Sequence, residues 1–285
     1  MNPRTPSTRL STRPSTRTRT AALLAATLLG AGALTACSGD GSSTGSGTGS
    51  GTGSDTGADT ELTVLAAASL TETYTALADE FEAEHPGVEV TLAFDSSATL
   101  AAQAVQGAPA DVLATADLRT MQDATDALAD APQLFASNQL VGVTPADDPA
   151  GISDFADAVA EGVDYVACVA TAPCGDLWAT IADEQGVTTD PASLEVDVKA
   201  VLQKVTSGEA DAGFVYSTDA VAAGDDVTSF AVPGAADHLT DYAVAPLSQA
   251  EEPDLAVEFI DLVLSDAGQQ VLADAGFGAP RDSQG

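Results

Sequence analysis

The sequence predicts an α/β protein built around sheets of mostly parallel strands. Patterns typical of short buried strands and of amphipathic helices alternate from residue 62 almost to the carboxyl terminus. This alternating region, roughly 225 residues long, is long enough for two lobes. Several strand-to-helix junctions carry hydroxyl side chains. Because open α/β sheets bind ligands at the carboxyl ends of their strands, these junctions are candidate binding positions.

The first strand–helix unit is the clearest. Residues 62–65 form an uncharged strand pattern, followed by three alanines and Ser69. Ser69 and Glu72 fit a capping box, which predicts that a helix begins at Ser69. The helix shows one apolar face, made of Leu70, Tyr74, Leu77, Ala78 and Phe81. A helix start preceded by small residues suits an anion, although Ser69 as a plain helix cap is the alternative.

The remaining elements follow in alternation. Further strands are predicted at residues 88–94, 110–114, 139–144, 165–169, 194–198, 212–216, 227–232 and 241–247. Helices are predicted at residues 100–106, from 117 to 128, at 153–160, after Pro173, at 199–207, from 217 to 223 and, as one helix or a pair, at 253–275. Of these junctions, the one at residues 95–99 has hydroxyl groups at the start of its helix, as the first one does.

Composition argues against two classes of function. The chain has 43 acidic residues and 9 Lys and Arg, and five of those cations precede residue 20. The rest therefore has almost no positive charge to place on phosphates, and nucleic-acid binding is excluded. Only His85 and His238 are available as imidazole bases, and no hydrolase, zinc-protease or phosphate-loop motif occurs. We therefore do not expect an enzyme.

The amino terminus predicts a lipoprotein. Residues 1–36 combine an arginine-rich start with an apolar run too short for a membrane span, which is typical of a signal peptide. The run ends Leu34-Thr35-Ala36-Cys37, which resembles the bacterial lipobox and implies lipidation of Cys37. The alternative is an ordinary signal peptide with a coincidental cysteine. Residues 37–60 are rich in Gly, Ser and Thr and predict a flexible tether. We expect a soluble domain anchored by lipid at the outer face of the cell membrane.

Two cysteines remain, Cys168 and Cys174. The extracytoplasmic location is oxidising, so a disulfide between them is permitted. Our hypothesis is that it bridges a strand end and the following turn. Two small buried thiols are the alternative.

Three local motifs together carry a family resemblance. They are Ala66-Ala67-Ala68-Ser69-Leu70, then residues 94–100 (FDSSATL) with 107–111 (GAPAD), and then residues 213–220 (GFVYSTDA). In this order and spacing they resemble the molybdate-binding protein of bacterial ABC transporters, from about residue 62 to the carboxyl terminus. The resemblance implies the two-lobed type II periplasmic-binding-protein fold with two crossovers. Residues 62–144 plus 242–285 would form lobe 1, and residues 145–241 lobe 2.

The resemblance also implies a set of ligands for the oxyanion. Five residues would bind it: the hydroxyls of Ser69, Ser97 and Tyr216 and the backbone N–H groups of Cys174 and Val198. Ser96 is a rival to Ser97, and Ala116 would add a backbone donor. The family's Pro-x-Gly turn corresponds to Pro173-Cys174-Gly175. The sequence departs from the family pattern at Asp95, Ala98 and Cys174.

The implied function is capture of molybdate, and of tungstate, in a cleft between the lobes. The protein, a monomer without a cofactor, would deliver the anion to an ABC transporter permease, and molybdenum would be present only as the bound oxyanion. A pocket without acceptors suits a fully deprotonated dianion and disfavours monohydrogen phosphate. The alternatives are a receptor for another tetrahedral oxyanion such as sulfate, and a lipid-anchored enzyme or adhesion module.

Overall fold

A computed structural model describes residues 60–281. The expected signal peptide of residues 1–36 and the tether that begins at the lipidation candidate Cys37 lie outside the described residues. Inside them, no helix combines the length and the apolar character needed to cross a bilayer.

Two five-stranded sheets organise the described chain. The first has the order β2-β1-β3-β10-β4 and the second the order β7-β6-β8-β5-β9. The strands are β1 (Thr60–Ala67), β2 (Val88–Asp95), β3 (Val112–Thr115), β4 (Gln133–Asn138), β5 (Leu140–Pro145), β6 (Tyr165–Cys168), β7 (Ser193–Glu195), β8 (Ala212–Tyr216), β9 (Val227–Ala231) and β10 (Thr240–Pro246). We call the first sheet with its helices the first lobe and the second sheet with its helices the second lobe.

Nine α-helices cover these sheets within residues 60–281. They are α1 (Thr71–Glu84), α2 (Ser97–Val105), α3 (Leu118–Asp123), α4 (Phe155–Ala158), α5 (Pro173–Glu184), α6 (Val198–Thr206), α7 (Ser217–Ala223), α8 (Pro253–Leu264) and α9 (Asp266–Asp274). Helices α1, α2, α3, α8 and α9 belong to the first lobe, and α4 to α7 to the second, with Phe155 of α4 packed against Trp178 and Phe214. The predicted carboxyl-terminal pattern is therefore a helix pair, which is interrupted at Ser265.

The chain crosses between the lobes twice, as the predicted fold class requires. It leaves the first sheet after Asn138 and enters the second at Leu140, and it returns between Ala231 and Thr240. The predicted lobe boundaries differ from this pairing. Residues 140–144 belong to the second sheet because β5 pairs with β8 and β9, and β10 begins at residue 240 rather than 242.

The sheets are less parallel than the sequence predicts. Strands β1, β2 and β3 are mutually parallel, as are β6, β7 and β8, but β5 and β10 pair antiparallel with their neighbours. The two exceptions are the strands that enter a lobe directly from the other one. They lack the preceding helical crossover that returns a chain in the same direction.

The apolar faces recognised in the sequence do line the core. Tyr74, Leu77 and Phe81 on α1 are all buried, and so is Leu70 just before it. The predicted capping box is wrong: a short 3₁₀ turn occupies residues 68–70, α1 begins at Thr71, and no side chain caps it. Ser69 and Glu72 instead make long-range contacts, described below.

Candidate functional site

A small cavity lies between the lobes, at the carboxyl ends of six strands. About 20 Å³ of it is open to the centre of a water-sized sphere. The first lobe contributes the ends of β1, β2 and β3, and the second lobe those of β6, β7 and β8. All five predicted ligands line it: Ser69, Ser97, Cys174, Val198 and Tyr216. The strand-to-helix junctions of both lobes therefore converge on one enclosed space.

Each of the two first-lobe serines has a hydrogen-bond partner that can leave its own proton free. Ser97 Oγ accepts the backbone N–H of Ala116 at 2.9 Å. Ser69 Oγ lies 2.7 Å from the Tyr242 hydroxyl. If Tyr242 donates there, the Ser69 O–H can turn toward the cavity, as the Ser97 O–H can. The expected free N–H of Ala116 is not available, because Ser97 already takes it.

Ser96 also lines the cavity, so it stays a rival to Ser97. Its backbone N–H donates to Asp95 Oδ1 at 2.6 Å. Ser97 has the better-defined hydroxyl, because the bond from Ala116 orients it.

Tyr216 ends β8 with its ring buried, and its hydroxyl makes no hydrogen bond of normal geometry within residues 60–281, although the Thr240 hydroxyl lies close enough to lower its pKa slightly. Burial raises the pKa of this phenol well above its ordinary value, so it stays protonated and can act as a donor. A buried hydroxyl without a partner is unusual, since such a group normally forms a bond on folding. Because Tyr216 lines the cavity, an acceptor bound there can supply the missing partner.

Backbone N–H groups complete the second-lobe side. Cys174 and Val198 lie in the first turns of α5 and α6, where N–H groups have no acceptor within the helix. Both residues are buried against the cavity. Their N–H groups and the positive ends of the helix dipoles suit an anion.

The turn that presents Cys174 is tightly constrained. A disulfide joins Cys174 to Cys168 at the end of β6, with Cα atoms 5.8 Å apart. A Cβ atom on the next residue, Gly175, would lie 1.9 Å from the carbonyl oxygen of Val169. Only glycine therefore fits this Pro-Cys-Gly turn.

No lysine or arginine lines the cavity, but two carboxylates do, Asp95 and Asp197. Asp95 accepts the N–H of Ser96, and Asp197 caps α6 by accepting the Ala200 N–H at 2.9 Å. Residues 60–281 contain no cluster of His, Cys, Asp and Glu that could hold a metal cation. His85 and His238 each contact a glutamate, Glu258 and Glu184, outside the cavity lining. The donors of the cavity are uncharged, and the charged side chains in its lining are the two carboxylates of Asp95 and Asp197.

Sequence reasoning missed the residues behind Ser69. Tyr242 is fully buried, and burial raises its pKa, so its phenol is neutral as well. Asn138, at the first crossover, directs its amide to Thr218 Oγ1 at 2.9 Å and, less closely, to the Tyr242 hydroxyl at 3.5 Å. No local pattern marks these residues, because they lie far from Ser69 in the chain.

Two lobes joined by two crossovers, with a donor-lined cavity between them, define an extracytoplasmic solute-binding protein of type II fold. The chain belongs to the family described as bacterial extracellular solute-binding protein, whose sequence profile matches residues 62–278.

Its relatives narrow the class further. Molybdate-binding proteins ModA of Mycobacterium tuberculosis and Mycobacterium bovis are 41% identical over 221 residues, which covers 77% of this chain and 85% of each relative. The molybdate-binding protein ModA of Haemophilus influenzae is 28% identical, covering 77% of this chain and 90% of the relative.

Solved structures agree on the fold. The periplasmic molybdate-binding protein of Azotobacter vinelandii superposes with a TM-score of 0.67 at 20% identity, covering 77% of this chain and 100% of that one. The sulfate-binding protein SubI of Mycobacterium tuberculosis gives 0.68 at 17% identity, covering 79% and 88%. At 20% and 17% identity, these superpositions show a shared fold and do not by themselves show a shared ligand.

Proposed function

We propose that this protein captures molybdate in the cavity between its lobes and delivers it to an ABC transporter. The observation that carries the proposal is the buried, unpartnered hydroxyl of Tyr216 on the wall of a cavity lined by uncharged donors. The identity to proteins named for molybdate supports the choice of anion.

The ligand set consists of three hydroxyls and two backbone N–H groups. Ser69 and Ser97 donate from the first lobe, and Tyr216, Cys174 and Val198 donate from the second. A hydrogen bond to a charged acceptor contributes about 1.5–3 kcal/mol. Five such bonds reach micromolar affinity even after the cost of immobilising the ligand.

Selectivity follows from size. Molybdate, tungstate and sulfate are fully deprotonated near neutral pH and only accept hydrogen bonds. Monohydrogen phosphate needs an acceptor for its proton, and each of the two lining carboxylates keeps one oxygen that no N–H engages, so phosphate is disfavoured here by its size, as sulfate is, and not by its proton. Sulfate is smaller than molybdate and would leave some of the five donors without contact. No residue of the cavity discriminates molybdate from tungstate.

The cellular setting belongs to the same proposal. The protein acts as a monomer outside the cytoplasmic membrane, held through lipid on Cys37 and a flexible tether. Its partner is the permease of the transporter, and it neither needs a cofactor nor performs catalysis. The Cys168–Cys174 disulfide fixes the turn that presents the Cys174 N–H.

Calorimetric titration with molybdate, tungstate, sulfate and phosphate tests the proposal. We expect tight binding of molybdate and tungstate and much weaker binding of sulfate and phosphate. Tighter binding of sulfate than of molybdate would make the protein a sulfate receptor. Absence of heat with all four anions would refute oxyanion capture and favour an enzyme or adhesion module.

A further inference from the structure

Cations are rare in this chain, and two of them bridge the lobes. Residues 60–281 contain only Arg119, Lys199, Lys204 and Arg281. Lys199 of the second lobe lies with its Nζ atom 2.8 Å from both carboxylate oxygens of Glu72 in the first lobe. The same Nζ lies 3.2 Å from Asp219 Oδ1, within its own lobe.

Glu72, Lys199 and Asp219 each follow a proposed ligand by one to three residues in the chain. Glu72 is three residues after Ser69, and Lys199 follows Val198. Asp219 is three residues after Tyr216 and accepts its backbone N–H at 3.1 Å. The contacts of Lys199 with Glu72 and Asp219 therefore tie together the starts of α1, α6 and α7, each of which lies within two residues of a residue that lines the cavity.

The two halves of this arrangement differ in burial. Asp219 is fully buried, whereas the Glu72 side chain is 52% exposed. A buried carboxylate without a cation is costly, so we expect Lys199 to stay beside Asp219 whether the cleft is open or closed. Burial alone lowers the pKa of Lys199, but the Asp219 and Glu72 carboxylates outweigh it and raise the pKa, so the ammonium stays charged. The second lobe thus holds a fixed positive charge aimed at Glu72.

We propose that Lys199 and Glu72 form a latch between the lobes, which is made when the cleft closes and which slows release of the bound anion. Asp219 is the positioning residue that holds Lys199 in place. The effect on release depends on the proposed function, whereas the latch itself does not.

The second bridge between the lobes is looser. Arg119 Nη2 donates to the carbonyl oxygen of Thr171 at 3.3 Å, and its Nε lies 3.6 Å from Asp176. Its side chain is 43% exposed, against 25% for Lys199. The contact between Lys199 and Glu72 therefore contributes more to closure than the contacts of Arg119 do.

The first test uses the ligand-free protein. Glu72→Gln removes only the latch, which is the contact between Glu72 and Lys199 across the cleft. Lys199→Met removes the latch and also the contact of Lys199 with Asp219. Lys204→Met is the matched control, because Lys204 lies on the same helix and pairs with Glu195 inside the second lobe at 3.0 Å. We expect faster hydrogen exchange in segments 68–72 and 198–201 for Glu72→Gln and Lys199→Met, and wild-type exchange there for Lys204→Met.

The second test measures binding of molybdate. Each latch variant should release the anion about 5-fold faster, the size expected for a partly exposed ion pair, with little change in association. The double variant should be no worse than Lys199→Met alone, because the two residues act through one contact.

Unchanged exchange and release in Glu72→Gln would overturn the latch, and so would an equal effect in Lys204→Met. Additive effects in the double variant would do the same. If the wild-type protein does not bind molybdate, the proposed function fails, while the exchange experiment still decides whether the latch exists.

Discussion

The hydroxyl of Tyr216 offers the sharpest test of the site, through the substitution Tyr216→Phe. The change deletes one oxygen atom and keeps the ring, which packs 6.1 Å from the ring of Tyr242. The deleted hydroxyl has no partner at normal hydrogen-bond geometry within residues 60–281. Without ligand, the substitution therefore breaks no hydrogen bond of normal geometry and removes only a weak contact with the Thr240 hydroxyl.

The expected magnitude differs between binding and folding. A bond from the phenol to a dianion is worth about 1.5–3 kcal/mol, so the dissociation constant for molybdate should rise about 10- to 150-fold. The free energy of unfolding without ligand should stay the same or rise, because a buried hydroxyl without a bond is itself unfavourable.

A matched control lies in the first lobe. Tyr74 also has a buried hydroxyl without a partner among the described residues, but its ring packs between Phe135 and Phe259, with ring centroids 6.0 and 5.8 Å away. Tyr74→Phe removes the same atom from a core position outside the cavity.

Calorimetry and denaturant unfolding on both variants give the answer. Tyr216→Phe should lose affinity without losing stability, and Tyr74→Phe should leave affinity unchanged. Wild-type affinity in Tyr216→Phe, or an equal loss in Tyr74→Phe, would show that the Tyr216 hydroxyl is not a ligand.

Three further predictions follow from the same contacts. Ser69→Ala should weaken molybdate binding by about 1.5–3 kcal/mol and also lower the free energy of unfolding by about 1 kcal/mol, because Tyr242 loses its 2.7 Å partner; calorimetry and urea unfolding measure the two, and unchanged affinity would remove Ser69 from the site. Asp95→Asn should tighten binding, because it removes a negative charge from the cavity wall; weaker binding in a calorimetric titration would contradict this. Burial raises the pKa of Asp219 from 3.8 to about 6, so the folded protein binds its proton more tightly than the unfolded chain. This group therefore makes the protein less stable as pH rises from about 4 through 6, and Asp219→Asn should gain up to about 3 kcal/mol on wild type over that interval; a stability difference that does not vary with pH would show that the carboxylate is not buried as described.

The sequence predicts most of what is local in this fold. Alternating apolar patterns locate nine of the ten strands of residues 60–281, and hydroxyls at two strand ends point to the cavity. Helix boundaries shift by a few residues where acidic caps such as Asp117 and Asp197 set the first turn. These features depend on neighbours in the chain, so local reasoning finds them.

The missed strand, β4, shows where local reasoning fails. Its last residues, Ser137 and Asn138, are polar yet buried. Ser137 Oγ donates to the carbonyl oxygen of Ala279 at 2.9 Å, and Asn138 contacts Thr218, so partners distant in sequence satisfy both. A strand whose polar groups are satisfied at long range does not show the alternation of polar and apolar residues by which strands are recognised.

The prediction that Ser69 caps a helix fails for the same reason. Its pattern with Glu72 is that of a helix cap, but each side chain has a better partner in the folded protein. Ser69 bonds to Tyr242, which is 173 residues away, and Glu72 bonds to Lys199, which is 127 residues away. A local capping bond is worth about 1 kcal/mol, so a buried hydroxyl pair or an ion pair can replace it.

The distribution of charge explains why an acidic protein can hold an anion without a cation in the site. Within residues 60–281, all four cations are paired with carboxylates: Arg119 with Asp117 and Asp176, Lys199 with Glu72 and Asp219, Lys204 with Glu195, and Arg281 with Asp241. A cation fixed in the cavity would be buried without a counter-ion each time the anion left, which is costly. Hydroxyl and N–H donors leave no net charge behind, so the empty state is less unfavourable and the anion can be released to a transporter. Lys199 and Arg119 lie at the rim of the cavity, where they join the lobes. Their positive charge favours closure, while the donors inside the cavity remain uncharged.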